Sequence, residues 1–253
     1  MMKEKHLLKV VKNISLAKDT VELTLENEAI AKTAIPGQFI YVRIPHHTLR
    51  RPISIASVNQ VENTVTILFK IIGDGTRDLA AFEVGMTLEG IGPNGHGYPV
   101  DAFDRGETAL LIGGGIGVPP LYFLAQVLSA KGVNVKAVLG FQSKAYTFYE
   151  KDFQALGETI VVTDDGSYGK AGFVTDWLDD FKSAQAYFSC GPMPMLKAVK
   201  HALPDMKGFL SFEERMGCGI GACYACVIPT NDVAGYKRIC LDGPVFPAEE
   251  VKI

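Results

Sequence analysis

Residues 109–120 read ALLIGGGIGVPP, and this stretch decides the fold of the central part of the chain. Ala109–Ile112 is an apolar run of strand length. The glycines after it lead into Pro119-Pro120, which suit a first helical turn because the missing N–H has no partner there. From about Thr108 to Lys207, strand-like and helix-like segments alternate in this way. The alternation predicts a doubly wound α/β unit with parallel strands. Its helices are predicted at Pro119–Lys131, Tyr149–Leu156, Phe173–Leu178 and Met193–Leu203.

The glycine-rich turn carries a phosphate-binding pattern. Gly115-x-Gly117-x-x-Pro120 resembles the dinucleotide fingerprint, with proline in place of the third glycine. Glycines let the backbone approach a pyrophosphate, and the following helix N-terminus supplies unpaired N–H groups. We therefore predict that Gly113, Gly114, Gly115 and Gly117 bind a nucleotide, with a purely structural turn as the alternative.

A second turn, Cys190-Gly191-Pro192, ends the last strand of this unit. Strand ends of this kind face the ligand crevice, so the turn is predicted to lie beside the same nucleotide. Cys190 either helps to orient a nicotinamide ring or is a small buried hydrophobic residue. Residues 140–144 read GFQSK, without the acidic residue that would hold a ribose 2′-hydroxyl. These residues leave NAD versus NADP open.

The first hundred residues are predicted to form mostly short strands with frequent turns, which indicates a small antiparallel barrel. One short helix is predicted at Thr76–Phe82. Arg51 offers a planar fork to phosphate oxygens, and Ser54 can hydrogen-bond a ring or a ribose. Gly75 and Thr76 would present N–H groups at the start of the short helix. Each feature alone is compatible with a surface turn, but together they favour a second nucleotide site.

Four cysteines are spaced Cys218-x4-Cys223-x2-Cys226-x13-Cys240. The first two gaps match the spacing with which plant-type ferredoxins hold a [2Fe–2S] cluster. Structural zinc is one alternative, although zinc sites usually use two short pairs, and disulfides are another. The spacing favours the cluster, which carries one electron at a time.

Composition excludes several classes of function. The 253 residues carry a net charge of −3, which argues against a nucleic-acid-binding surface. The apolar stretches fall far below the ~20 residues of a membrane span. The charged N-terminus has no secretory signal, so a cytoplasmic protein is expected.

We predict three domains: a β-barrel at 1–102, the α/β unit at 103–208 and a cysteine-containing domain at 209–253. The last is too short to build a core alone by the usual size argument. Metal ligation would supply the missing stability.

The barrel, the α/β unit and the cysteine-containing domain follow one another along the chain. In this order they resemble the ferredoxin–NADP reductase superfamily over essentially the whole chain. Residues 213–226, EERMGCGIGACYAC, resemble the electron-transfer subunits of NAD-dependent (class B) dihydroorotate dehydrogenases. The resemblance implies FAD on the barrel, NAD at the glycine loop and the Cys-Gly-Pro turn, and a cluster on the four cysteines. The residues implied for FAD are Arg51, Pro52, Ile53, Ser54, Leu68, Phe69, Lys70, Gly75 and Thr76.

The function implied is that of an oxidoreductase subunit in pyrimidine (UMP) biosynthesis. Electrons from the FMN of a separate dihydroorotate dehydrogenase catalytic subunit would pass through [2Fe–2S] and FAD to NAD⁺. The assembly implied is a heterotetramer with two copies of each chain. Hydride transfer needs no acid–base residue on this chain, so none is predicted.

The chain departs from the superfamily in two places. Ile53 replaces a tyrosine that commonly stacks on the flavin, and the C-terminus, EEVKI, lacks an aromatic residue that would cover it. Lys70 either reaches a phosphate or extends to solvent. Glu213 and Arg215 contact flavin or partner, or form a solvated charged turn.

Two other functions stay open. One is the electron-transfer subunit of another NAD(P)H-linked complex, of the sulfhydrogenase or transhydrogenase type. The other, from a different class, is a zinc-stabilised regulatory protein that senses a nucleotide.

Overall fold

Six antiparallel strands close into a barrel at the N-terminal end of residues 4–253, the part of the chain that the computed structural model describes. The strands are β1 (Lys5–Ala17), β2 (Thr20–Glu26), β3 (Phe39–Arg43), β4 (Arg51–Asn59), β5 (Thr64–Lys70) and β6 (Thr87–Asn94). Their order around the barrel is β1-β2-β5-β4-β3-β6, and β1 pairs with β6 to close it. The predicted antiparallel barrel is confirmed.

Alternating side chains fill the barrel. Val21, Leu23 and Leu25 of β2 point into one buried cluster, as their period of two predicts. Two short helices accompany the strands, α1 (Glu28–Thr33) and α2 (Asp74–Ala80). Helix α2 starts two residues before its predicted position, because the Thr76 hydroxyl donates to the Gly73 carbonyl and closes the first turn.

A parallel sheet follows the barrel. Its strands are β7 (Thr108–Gly114), β8 (Asn134–Phe141), β9 (Gly157–Thr163), β10 (Lys170–Ala171), β11 (Ala186–Cys190) and β12 (Lys207–Ser211). They lie in the order β10-β9-β8-β7-β11-β12. The order reverses between β7 and β11, which makes this a doubly wound sheet with a ligand crevice at their carboxyl ends. The predicted α/β fold is confirmed.

Three helices connect these strands, α3 (Val118–Ala130), α4 (Glu150–Gln154) and α5 (Met193–Ala202). The helix predicted at Phe173–Leu178 is instead a single 3₁₀ turn, Val174–Trp177. Asp176 Oδ2 accepts a hydrogen bond from the Phe173 amide at 2.8 Å and closes that turn on itself. None of the helices within residues 4–253 is both long and apolar enough to cross a membrane.

The C-terminal residues contribute a two-stranded hairpin, a short helix and an edge strand. These are β13 (Val227–Pro229), β14 (Tyr236–Arg238), α6 (Ile239–Asp242) and β15 (Val245–Pro247). Strand β15 pairs antiparallel with β12 and so extends the sheet. The predicted limit at 208/209 falls inside β12, so the sheet takes strands from both sides of it. The two limits between the predicted domains stay a prediction.

Apolar side chains of this C-terminal part share one buried cluster with the sheet and the barrel. Met216 and Ile239 pack in the same cluster as Ile112 of β7 and Phe39 and Tyr41 of β3. Part of the stability of this region therefore comes from burial against its neighbours rather than from metal ligation alone.

The barrel and the α/β unit are also joined directly. Tyr149 donates a hydrogen bond from its hydroxyl to Glu22 Oε2 of β2 at 2.7 Å, and Lys12 pairs with Glu22 Oε1 at 3.0 Å. Phe123 of α3 packs into the barrel cluster. The Tyr149–Glu22 hydrogen bond and the packing of Phe123 hold the barrel against the α/β unit.

Candidate functional site: two adjoining cavities and a cysteine loop

The first cavity lies between the barrel and the C-terminal residues and encloses about 720 Å³. Every residue predicted for FAD lines it. They are Arg51, Pro52, Ile53, Ser54, Leu68, Phe69, Lys70, Gly75 and Thr76. Strands β4 and β5 supply the first seven, and the start of α2 supplies the last two.

One end of this cavity is cationic. The Arg51 guanidinium lies against Gly75 so closely that a Cβ at that position would be 2.4 Å from Arg51 Nη2. The fork of Arg51 and the first amides of α2 therefore face the same space, an arrangement that suits a pyrophosphate. The Thr76 hydroxyl accepts from the Ile72 and Gly73 amides at 3.0 and 3.2 Å, so its role is to shape the turn.

The other end of the cavity is apolar. Ile53, Leu68 and Phe69 are buried in its wall, and Phe212 and Met216 also line the cavity. An apolar slot that continues into a cationic end fits a flavin ring joined to a pyrophosphate. With Ile53 in the wall, the contact to a ring from this position is aliphatic.

Arg50 is a wall residue that sequence reasoning missed. Its Nη2 pairs with Glu89 of β6, whereas its buried Nη1 has no hydrogen-bond partner within residues 4–253. A buried donor without a partner is costly unless a ligand or water satisfies it. The sequence signal that could have found it is the pair Arg50-Arg51. Only Arg51 was predicted to contact a ligand.

The second cavity encloses about 730 Å³ and opens at the carboxyl ends of the parallel strands. Among the predicted nucleotide residues, Gly114, Gly115, Gly191 and Pro192 line it. This is the crevice where doubly wound sheets bind their ligands.

The other predicted residues lie behind this wall. A Cβ on Gly117 would be 2.2 Å from the Cys190 carbonyl oxygen, and one on Gly113 would be 2.9 Å from Val118 Cγ2. These two glycines let α3 pack closely on β7 and β11. Cys190 is fully buried, and burial raises the pKa of its thiol well above the usual value. Its position fits the alternative of a small buried residue.

Acidic and aromatic residues that sequence reasoning missed also line the second cavity. Asp164 follows β9, and Phe173 follows β10, with its ring 64% exposed. A ribose-binding carboxylate was expected in the residues after β8, where Gln142 stands instead. Because β9 pairs in parallel with β8, its carboxyl end, with Asp164, lies beside the end of β8. This neighbourhood follows from the strand order and is not visible in the sequence.

The two cavities share a wall. Lys70, Ile116, Phe212, Glu213 and Glu214 line both of them. The side chain of Glu213 is open to the cavities but lies deep among protein atoms, and this burial raises its pKa to about 7. Lys70 Nζ lies 4.6 Å from the centre of the Tyr146 ring, which anchors it between the barrel and the α/β unit.

The cysteine loop begins two residues beyond the first cavity. Met216 lines that cavity, and Cys218 is the first cysteine. Amides of Ile220, Ala222 and Cys223 lie 3.2–3.4 Å from Cys218 Sγ and point at it. Although burial opposes ionisation, these amides lower the pKa of the Cys218 thiol to about 6. The loop therefore favours a thiolate, the form that ligates iron.

The other cysteines complete the set. The Cys218 amide donates to Cys223 Sγ at 3.4 Å, and the Gly221 amide donates to Cys240 Sγ at 3.1 Å. Burial and a hydrogen bond with Cys226 raise the pKa of the Cys240 thiol to about 12. Cys218 thus lies beside Cys223, and Cys226 lies beside Cys240.

The cysteines therefore form two adjacent pairs with amides directed at sulfur. Hydrogen bonds of this kind to cysteine sulfur are a feature of iron–sulfur sites.

Comparisons with known proteins agree with this geometry. A family model described as the iron-sulfur cluster binding domain of dihydroorotate dehydrogenase B matches residues 213–252. The chain is 47% identical over 257 residues to the electron transfer subunit of dihydroorotate dehydrogenase B (NAD(+)) from Bacillus cereus (strain G9842), with 99% of each covered. The subunit of the same name from Bacillus pumilus (strain SAFR-032) is 47% identical over 255 residues, again with 99% of each covered. The chain belongs to this family of electron transfer subunits.

Solved structures support the same fold. The structure of an NADH-dependent reduced ferredoxin-NADP oxidoreductase is similar with a TM-score of 0.88 and 29% identity, over 99% of this chain and 91% of that one. The cytochrome b5 reductase domain of Ulva prolifera nitrate reductase has a TM-score of 0.66 at 19% identity, over 80% of this chain and 93% of that one. The second similarity concerns the fold alone. These similarities confirm the predicted combination of barrel and nucleotide-binding unit.

Gly221 supplies the first testable prediction for this family member. It has φ +82°, and a Cβ there would be 2.5 Å from Leu241 Cδ2. We expect Gly221→Ala to lower the iron and acid-labile sulfide bound per chain, because the loop must move and its amide then leaves Cys240 Sγ.

Gly235→Ala is the matched control. Gly235 has φ +73° with open space around it, so both variants carry the same backbone cost of about 1–2 kcal/mol. Equal iron and sulfide contents in the two variants would contradict the prediction.

Proposed function

We propose that this chain carries electrons from the FMN of a dihydroorotate dehydrogenase catalytic subunit, through its own [2Fe–2S] cluster and FAD, to NAD⁺ in pyrimidine biosynthesis. The main support is the adjacency of three sites. The two cavities share a wall, and the cysteine loop starts two residues beyond Met216 in the wall of the first cavity. Family membership supports the dihydroorotate-linked role.

FAD is assigned to the first cavity. A flavin exchanges hydride with a nicotinamide and single electrons with a cluster, so it fits between the other two centres. Arg51 and the start of α2 would bind its pyrophosphate. Ile53 and Leu68 would pack on its ring system, and the unpaired Nη1 of Arg50 would donate to a polar atom of the ligand. Ser54, Phe69 and Lys70 complete the wall.

NAD is assigned to the second cavity. Gly114, Gly115, Gly191 and Pro192 would contact it directly, whereas Gly113, Gly117 and Cys190 would act by supporting the turns from behind. The name of the relatives, dihydroorotate dehydrogenase B (NAD(+)), supports NAD as the acceptor. Asp164 supports it too, because a carboxylate accepts hydrogen bonds from ribose hydroxyls and repels a 2′-phosphate.

The four cysteines, Cys218, Cys223, Cys226 and Cys240, are assigned to the cluster. Their thiols must stay unoxidised until it is built, so we expect a reducing compartment, the cytoplasm.

The catalytic subunit is assigned to the surface around the cysteine loop. Cys223 is exposed, and Ile220 and Tyr224 beside it are 52% and 50% exposed. Val227 and Tyr236 of the adjacent hairpin add further exposed apolar surface. An apolar patch at the edge of a one-electron site suits a protein partner that delivers electrons there. We propose an assembly with two copies of each chain.

The decisive experiment combines the purified chain with an FMN-containing catalytic subunit. We expect the chain alone to show flavin and iron–sulfur absorption, and the mixture to form NADH only when dihydroorotate is present. Failure to form NADH with both cofactors loaded would contradict the proposal. Hydride transfer from NADPH to NAD⁺ would indicate the transhydrogenase type instead. A colourless zinc protein would indicate the regulatory alternative.

Gly75→Ala tests the FAD assignment. A methyl group at Gly75 must displace the Arg51 guanidinium, which lies 2.4 Å from the added Cβ. Loss of a charge-assisted hydrogen bond of about 1.5–3 kcal/mol predicts FAD binding at least roughly tenfold weaker. The measurement is titration of flavin-depleted protein with FAD, followed by flavin fluorescence.

Gly73→Ala serves as its control. Gly73 precedes the same helix in an extended conformation, φ −175°, and no atom would lie within 4 Å of a Cβ there. A methyl group at Gly73 leaves the Arg51 guanidinium in place, so this variant should bind FAD more tightly than Gly75→Ala. The FAD assignment would be wrong if Gly75→Ala also bound FAD with unchanged affinity.

Asp164→Asn tests the choice of nicotinamide nucleotide. Removing this carboxylate should lower the ratio of kcat/KM for NADH to that for NADPH by roughly tenfold or more, the value of one charge-assisted hydrogen bond. The assay uses an artificial electron acceptor. Asp165→Asn is the control, because the Asp165 carboxylate accepts hydrogen bonds from Ser167 and lies outside the cavity wall. An equal change in both variants would refute a specific role for Asp164.

A further inference from the structure

Tyr41 of β3 connects the barrel to the cysteine loop. Its side chain is buried, and its hydroxyl lies 2.8 Å from the carbonyl oxygens of both Met216 and Gly217. These are the two residues that precede Cys218. The Tyr41 hydroxyl therefore donates its single proton to a pair of adjacent carbonyls, just before the first cysteine.

The same ring supports the loop on the other side of Cys218. Gly219 crosses the ring so closely that a Cβ there would be 2.6 Å from both Tyr41 Cδ1 and Cε1. The loop is thus held by a hydrogen bond before Cys218 and by direct contact with the ring after it.

Tyr41 also belongs to the structure around the first cavity. Phe39, two residues earlier on β3 and on the same face of the strand, lines that cavity, as does Met216. Phe39, Tyr41 and Met216 pack in one buried cluster. The strand that forms part of the cavity wall is therefore the strand that holds the loop.

We propose that Tyr41 is a positioning residue for the cysteine loop. Through the loop it sets the reduction potential of the cluster and the electronic coupling between the cluster and an FAD in the first cavity. The inference rests on the proposed function in one respect, the presence of a [2Fe–2S] cluster and FAD. The ring supports the loop in which the amides of Ile220 and Ala222 point at Cys218 Sγ. Hydrogen bonds to ligand sulfurs stabilise the added negative charge of the reduced state and so raise the potential.

Tyr41→Phe in the loaded protein is the direct test. The ring contact with Gly219 is retained, and only the hydroxyl is lost. We expect parental iron, sulfide and FAD contents, a cluster potential shifted downward in an EPR-monitored titration, and altered cluster g-values. The FAD potential should not move, and transfer between FAD and the cluster should slow in single-turnover measurements.

Tyr168→Phe is the matched control. Its hydroxyl donates to Glu150 Oε2 at 2.6 Å in the α/β unit. That variant loses one tyrosine hydrogen bond of the same kind and should leave the potential and EPR spectrum of the cluster unchanged. Parental cluster potential and g-values in Tyr41→Phe would overturn the inference.

Gly219→Ala keeps the test decisive if Tyr41→Phe does not fold. Its methyl group pushes the ring away while the hydroxyl remains, so the cluster potential should again shift downward, and an unchanged potential would overturn the inference. Both measurements omit the catalytic subunit and dihydroorotate. A failed dihydroorotate assay would therefore contradict the proposed function but leave the measured cluster potentials valid. An unshifted cluster potential would refute only the role of Tyr41.

Discussion

The C-terminal residues bury their apolar side chains against the sheet and the barrel, and the arrangement of the whole site depends on this packing. Met216, Ile239 and Phe246 join a cluster that also contains Ile112 of the sheet and Tyr41 of the barrel. To reach that cluster, the chain leaves β12 and passes between the two cavities as Phe212–Met216. The wall between the cavities is therefore the same segment that leads to the cysteines.

This shared packing explains how a short cysteine segment can hold a defined geometry. Strand β15 pairs with β12, and the Phe212 amide donates to the Pro244 carbonyl at 3.0 Å, so both ends of the segment are fixed to the sheet. Arg238 adds a local restraint, because it pairs with Asp242 and donates to the Gly221 carbonyl at 3.0 Å. The surrounding fold thus helps to orient the amides of the loop toward sulfur.

The parts of the site that could be predicted from sequence are those specified by local patterns. Alternation on β2 and the glycine turn after β7 each fall within about a dozen residues, and the cysteine spacing falls within 23. Arg50 and Asp164 escaped prediction because their roles arise where separate strands meet. The 3₁₀ turn at Val174–Trp177 was predicted as a full helix because apolar spacing over six residues cannot show that Asp176 closes the turn early.

Glu213 shows how the position of the shared wall changes the chemistry of one side chain. A carboxylate in the loop before the cysteines would ordinarily be ionised at neutral pH, but burial raises the pKa of Glu213 to about 7. Near neutral pH this side chain therefore exchanges between its carboxylate and its neutral acid. Only the neutral acid can donate a hydrogen bond to a group beside it in the wall.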